Sequence, residues 1–181
     1  MSRLFLLVPI LFLAGCSAFL VTESSDPYIK LTQASELLEI GRPIPSERIA
    51  KEALGIFIVE KDKYGESEAN FFLGIFYKTK SGWANVATED YLNKAINKLT
   101  LAEKGYISLG ENIQASKVAF ELGQSYRGKE RTDITCQYYE KSIELYKTGK
   151  GEHKEFSFNL AFKSPLELIQ VHIEHVCPKN A

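Results

Sequence analysis

Two histidines, His172 and His175, sit three residues apart near the end of the chain, with Glu174 between them and Cys177 two residues on. On a helix that spacing puts both imidazoles on one face, where they could hold zinc. A zinc site needs third and fourth ligands, and the neighbouring sequence offers only Cys177. A polar helix face is the simpler use of the pair, so no metal and no other cofactor is expected. Cys136 could act as a nucleophile only beside a base, and no triad-like grouping is visible around it. The sequence also lacks a phosphate-cradling glycine loop, G-x-S-x-G and H-E-x-x-H. Carboxylates such as Glu66 and Glu68 read as a solvated face. The expectation is a protein that is not an enzyme and takes no small-molecule substrate.

The remaining cysteine, Cys16, closes a segment of a different kind. Arg3 supplies a basic start, residues 4–13 an apolar run, and Leu13-Ala14-Gly15-Cys16 a small-residue stop. Charged, apolar and small-residue regions in that order describe a secretory signal peptide. An uncleaved anchor fits less well, because about ten apolar residues interrupted by Pro9 fall short of the ~20 that span a bilayer. L-A-G-C resembles the lipobox of bacterial lipoproteins. The resemblance implies that Cys16 is lipidated and that the peptide is cut before it. It also implies acylation of the new amino terminus, with Ser17 pointing to the periplasmic face of the outer membrane. Residues 1–15 are then signal peptide, 16–27 a lipidated polar tether, and 28–181 a helical-repeat domain. Two or more acyl chains make such attachment stable.

Removing residues 1–15 from 181 leaves 166, a size suited to one domain. Only Arg3 is charged in the removed piece, so 21 basic side chains face 23 acidic ones. That balance gives no electrostatic case for nucleic acid, which needs clustered Lys and Arg. With Cys16 lipidated, Cys136 and Cys177 remain as an even pair in an oxidising compartment. A disulfide between them is expected, with two separate buried thiols as the alternative.

From Tyr28 onward the apolar pattern is helical. Ile29, Leu31, Ala34, Leu37 and Leu38 form one stripe, stopped by Gly41-Arg42-Pro43. Pro45-Ser46-Glu47 opens a second helix that ends near Tyr64-Gly65. A third runs from about Glu66 to Lys78, and Gly82 breaks the chain. A fourth carries Tyr91, Ala95, Ile96 and Leu99 and ends near Gly105. Gly110 precedes a fifth with Ala115, Val118, Phe120, Leu122 and Tyr126. Asp133 is a candidate cap for a sixth holding Tyr139, Ile143 and Leu145. Residues 156–162 read equally as a short strand or a short helix. Ser164-Pro165-x-Glu167 starts a last helix through Val176, with Pro178 as its stop. The predicted class is all-α.

Leu73-Gly74-Ile75-Phe76-Tyr77 and Leu122-Gly123-Gln124-Ser125-Tyr126 share L-G-x-x-Y, each preceded by an alanine, Ala69 and Ala119. Each is followed, after a turn, by a Tyr-bearing helix that ends in Gly. These residues resemble tetratricopeptide repeats, especially their Sel-one-like relatives. The resemblance implies a right-handed superhelix of antiparallel helix pairs. About three repeat-like pairs would be capped by the helix after Ser164, with residues 28–64 a degenerate first pair. The motifs stand 49 residues apart, beyond the range of about 34 to 45 for such repeats. Ala95 sits one place off the family spacing after Tyr91, and Cys136 takes a position usually held by Ala. An unrelated helical bundle is the alternative.

In that family the first helix of each pair lines a concave, peptide-binding face. The resemblance therefore assigns Phe71, Ile75 and Lys78 of one repeat, and Phe120, Gln124 and Arg127 of the next, to a partner-binding groove. An aromatic shelf edged with positive charge suits a peptide with an apolar anchor and a carboxylate. Both Phe residues could instead be core and both cations solvated. The function implied is a lipid-anchored adaptor that binds another envelope protein, and the membrane only through its lipid. A pilotin-like chaperone escorting a secretion or pilus subunit is the second reading. An immunity protein comes third, and no charge cluster supports it.

Overall fold

The computed structural model describes residues 24–83, 87–149 and 164–178. The signal segment with Cys16 and the ambiguous stretch 156–162 lie outside the described residues.

Helix α1 (Pro27–Glu39) begins where Oδ1 of Asp26 accepts from the backbone N–H of Tyr28 at 2.8 Å and of Ile29 at 3.3 Å. Pro27 takes the first helical position at no cost in hydrogen bonds. Helix α2 (Pro43–Glu60) starts earlier than its Pro45-Ser46-Glu47 signal, with Pro43 in the first turn. Ser46 is fully buried and donates to the Ala34 carbonyl of α1 at 2.6 Å, so it joins two helices instead of capping one.

Helix α3 (Lys63–Ser81) is capped by Asp62, whose Oδ1 accepts from the Gly65 N–H at 2.9 Å. Its Oδ2 accepts from the Tyr28 hydroxyl at 2.6 Å, which ties the start of α3 to α1. Gly65, which reads as the end of the second helix, lies inside the first turn of α3. A Cβ there would collide with the Phe57 ring. Helix α4 (Thr88–Leu109) likewise continues through Gly105, where a Cβ would collide with Ser67, and ends at Gly110 with φ 76°. Both interior glycines mark close helix approach rather than helix ends.

Helices α5 (Asn112–Arg127), α6 (Thr132–Thr148) and α7 (Pro165–Val176) follow. Asp133 does not cap α6: it lies in the first turn and pairs with Arg131 at 3.3 Å. Ser164 does cap α7, accepting from the Glu167 N–H at 3.2 Å, with Pro165 behind it. These seven helices, with no strand among the described residues, make an all-α protein.

Four of the connections are two to four residues long, so consecutive helices run antiparallel. Each helix packs on its neighbour in sequence, and α1 also touches α3 while α3 touches α5. The first helices of the pairs α1/α2, α3/α4 and α5/α6 therefore lie side by side, and α7 packs on α6. This is a helical-repeat arrangement, in which each unit contacts only its neighbours. The core follows the same line. One cluster gathers Leu37, Ile49, Phe57, Leu73 and Phe76, the next Leu99, Tyr106, Val118 and Leu122, and the last Phe120, Tyr139, Leu168 and Ile169.

Gly74 and Gly123 hold equivalent places. A Cβ on Gly74 would fall 2.6 Å from Leu99 Cγ, and one on Gly123 would fall 2.6 Å from the Tyr139 ring. Matching Leu99 to Tyr139 aligns Ala95 with Thr135 and Ala102 with Ser142, all fully buried. The small residue of α6 is thus Thr135, while half-buried Cys136 is free to reach α7. On the first helices Ser67 matches Ser116 and Asn70 matches Ala119, so Ala69 and Ala119 are not equivalent.

The long spacing also has a location. α3 runs three residues further past Tyr77 than α5 runs past Tyr126. The connection after α3 is two residues longer than that after α5. α4 then has four more residues before Leu99 than α6 has before Tyr139. These nine residues all fall between the L-G-x-x-Y motif and the large side chain, Leu99 or Tyr139, that packs on its glycine. Without them the period is 40, inside the range for paired-helix repeats.

Candidate protein-binding face

The face assigned to a groove runs along the first helices α3 and α5. Phe71 and Ile75 of α3 are half-buried and pack against the middle core cluster, to which α5 contributes Ala115, Val118 and Leu122. Lys78 reaches across from α3 to pair with Glu121 of α5, with both side chains about a quarter exposed. Glu68, on the same stripe of α3, accepts a hydrogen bond from the Tyr106 hydroxyl at 2.6 Å. Burial, with the Glu68 carboxylate beside it, pushes that phenol far above its ordinary pKa. Burial lowers the Lys117 ammonium of α5, and the charge of Glu68 opposes the shift. The stripe is thus a small apolar shelf flanked by paired charges of both signs. It is not the positively edged surface that Lys78 and Arg127 suggest in sequence, because Glu121 neutralises Lys78.

Phe120 requires a correction. It does not line an open groove: it is 8% exposed, stacked on Tyr139 with ring centroids 5.5 Å apart, and met edge-on by His172 at 5.2 Å. The physical reason is α7, which lays Leu168, Ile169 and His172 over this part of α5. Gln124 is half-buried and Arg127 exposed. Burial raises the Tyr139 phenol to about 12, opposed by the nearby Arg127 cation. The groove assignment therefore divides: Phe71, Ile75 and Lys78 share one stripe of α3, Arg127 stands at the exposed end of α5, and Phe120 belongs to the core.

What holds α7 there is in part covalent. Cys136 of α6 and Cys177 at the end of α7 form a disulfide, with S–S 2.09 Å and Cα atoms 5.7 Å apart. His172 is committed to packing, its Nδ1 lying 2.8 Å from the Leu168 carbonyl and its ring against Phe120 and Tyr139. His175 is exposed. Among the described residues no three His, Cys, Asp or Glu side chains gather as a metal site. No helix among them is long and apolar enough to cross a membrane.

One buried charge escapes a reading by composition. Glu103 of α4 is 4% exposed and pairs with Lys141 of α6 at 2.9 Å, while its Oε1 has no hydrogen-bond partner. Its signal is positional, since Leu92, Ala95, Leu99 and Tyr106 form the buried stripe of α4 and Glu103 falls on it. Beside it Tyr126 and Tyr138 stack with centroids 5.4 Å apart, bridging α5 to α6. Comparison with protein-family models, curated proteins and solved structures returns no match, so the site is read from its own residues.

Proposed function

We propose that this protein is a lipid-anchored adaptor on the periplasmic side of a bacterial outer membrane, holding another envelope protein through its helical repeats. The observation that carries the reading is the alignment of α1, α3 and α5 along one side, with the Phe71 and Ile75 shelf between charged flanks. An extended or helical peptide with an apolar anchor suits such a shelf, with polar rim contacts fixing its register. The L-A-G-C segment supports the lipid anchor.

Two measurements test the parts separately. Cys16→Ser removes the acceptor thiol, so the variant is expected to leave the membrane fraction after an alkaline wash. Retention there would overturn the lipid anchor. For the face, cross-linking and capture from intact membranes compares wild type with a Gln124→Glu, Arg127→Glu double variant. Neither side chain is fully buried, so the fold should survive. Loss of a captured protein supports the groove, and equal capture removes α5 from the interface. Capture of the apolar tail of a single secretion or pilus subunit would move the reading to a pilotin-like chaperone.

A further inference from the structure

The sequence Asn93-Lys94-Ala95-Ile96-Asn97-Lys98 repeats an Asn-Lys pair at four-residue spacing. On α4 the four-residue spacing sets each type one turn apart, and all four side chains line one open surface pocket of about 400 Å³ together with Tyr77 of α3. We propose that this cavity binds a phosphate-bearing small molecule, through the ammonium groups of Lys94 and Lys98 and the amides of Asn93 and Asn97.

The charge around the cavity is unbalanced. Lys98 is half-buried, and its ammonium donates to the neutral amide oxygen of Asn70 at 3.1 Å instead of to a carboxylate. Burial, together with the Lys51 cation, lowers its pKa. Lys94 stands over the Tyr91 ring at 4.7 Å, and no ion pair to it occurs among the described residues. Of the nearby carboxylates, Asp90 is exposed one turn before Lys94 and makes no ion pair among the described residues, while two others are engaged. Glu47 accepts from Tyr77 at 2.9 Å and pairs with Lys51 at 2.7 Å, while Glu89 pairs with Lys129 at 2.6 Å.

A desolvated cation without a counter-ion is costly, and an incoming anion removes that cost. The donors favour phosphate over a lone carboxylate. Two ammonium groups match a dianion, and lysine binds phosphate as a point charge. Asn93 Oδ1 accepts from Lys129 at 2.6 Å, which leaves its NH₂ for a ligand. Asn97 makes no hydrogen bond among the described residues and adds a second amide donor. The Tyr77 ring gives the organic part of the ligand an apolar floor. The ligand lies on α4, away from the α3/α5 stripe, so this site stands independently of the proposed protein-binding face.

The test is calorimetric titration of the full-length protein in nonionic detergent with three probes: inorganic phosphate, glycerol 3-phosphate and submicellar dihexanoyl phosphatidic acid. Saturable binding of at least one is expected, with affinity falling as salt rises. A Lys94→Gln, Lys98→Met double variant should bind at least about tenfold more weakly, because each lost contact is charge-assisted. Stronger binding of glycerol 3-phosphate assigns the site to a free phosphomonoester, and stronger binding of the lipid assigns it to a headgroup. Should the double variant melt early, Lys94→Gln alone carries the test, since that side chain is exposed. No saturable binding of any probe, or equal binding by the folded variant, overturns the proposal.

Discussion

The pairs α3/α4 and α5/α6 are built on one seam and finished in two ways. In both, a glycine lets a large side chain of the second helix lie against the backbone of the first: Gly74 under Leu99, Gly123 under Tyr139. In both, a buried serine stands seven residues earlier, Ser67 and Ser116. The finishing differs. α5 is covered by α7 and its Phe120 is core, whereas among the described residues no such helix covers Phe71 of α3, which stays half-buried. The internal seam of a repeat is set within the pair, and the fate of its outer face is set by what the next helix does.

Removing the clamp should expose that difference most. A Cys136→Ala, Cys177→Ala double variant releases a loop closed over a sequence separation of 41. In the chain-entropy model it should lose about 4 kcal/mol by denaturant unfolding. Hydrogen exchange should show lost protection in α7 and around Phe120 while α3 stays protected. Uniform loss along the chain would break the comparison. Next in size, Gly123→Val drives a branched side chain into the fully buried Tyr139 ring, and Gly74→Val does the same to Leu99. Each should cost about 1–3 kcal/mol by overpacking. An unchanged melting temperature at either glycine would break the register at that pair.

The serines sharpen the contrast at a smaller scale. Ser116 donates across the seam to the Ser142 carbonyl at 2.7 Å, and Ser142 returns a bond to the Ser116 carbonyl at 2.8 Å. Ser67 donates only to Lys63 of its own helix, at 2.8 Å. Ser116→Ala should therefore cost about 1 kcal/mol and Ser67→Ala clearly less.

The smallest effect separates the two helix starts. Asp62 caps α3, while its equivalent, Glu111, makes no side-chain cap to α5. The Tyr28 hydroxyl first, and then the Gly65 N–H, hold the Asp62 carboxyl below the usual aspartate range. Its contribution is complete above the pKa of an unfolded aspartate and is lost as pH falls through the lowered folded value. Since the carboxylate is largely solvated, that part is below about 1 kcal/mol. Melting temperature against pH should flatten slightly on the acid side in Asp62→Asn, and an unaltered profile would remove the cap from the contrast.

The sequence made the seam legible where glycine came with a repeated neighbourhood, as in the two L-G-x-x-Y motifs. It misled where glycine stood alone. Gly65 and Gly105 look like helix ends because the residue is the same, and only the neighbouring Phe57 and Ser67 show them to be contacts. Ser164-Pro165 was readable because a cap acts within one turn. Phe120 was not, because its burial depends on α7, more than forty residues along the chain. The Lys94 and Lys98 pocket lies in the sequence as a doubled Asn-Lys pair, but the engagement of Glu47 and Glu89 by other cations is a property of folded neighbours.

The line of nearest-neighbour contacts also bears on how the chain reaches its structure. Each helix finds its partners within the next one or two helices, so closing each contact requires only a short loop and little entropy. A chain emerging residue by residue can assemble the cluster of α1, α2 and α3 before α6 exists. The Cys136–Cys177 bond, like the packing of α7 over Phe120, must wait until α7 has been made, which makes it a covalent mark that α7 has docked.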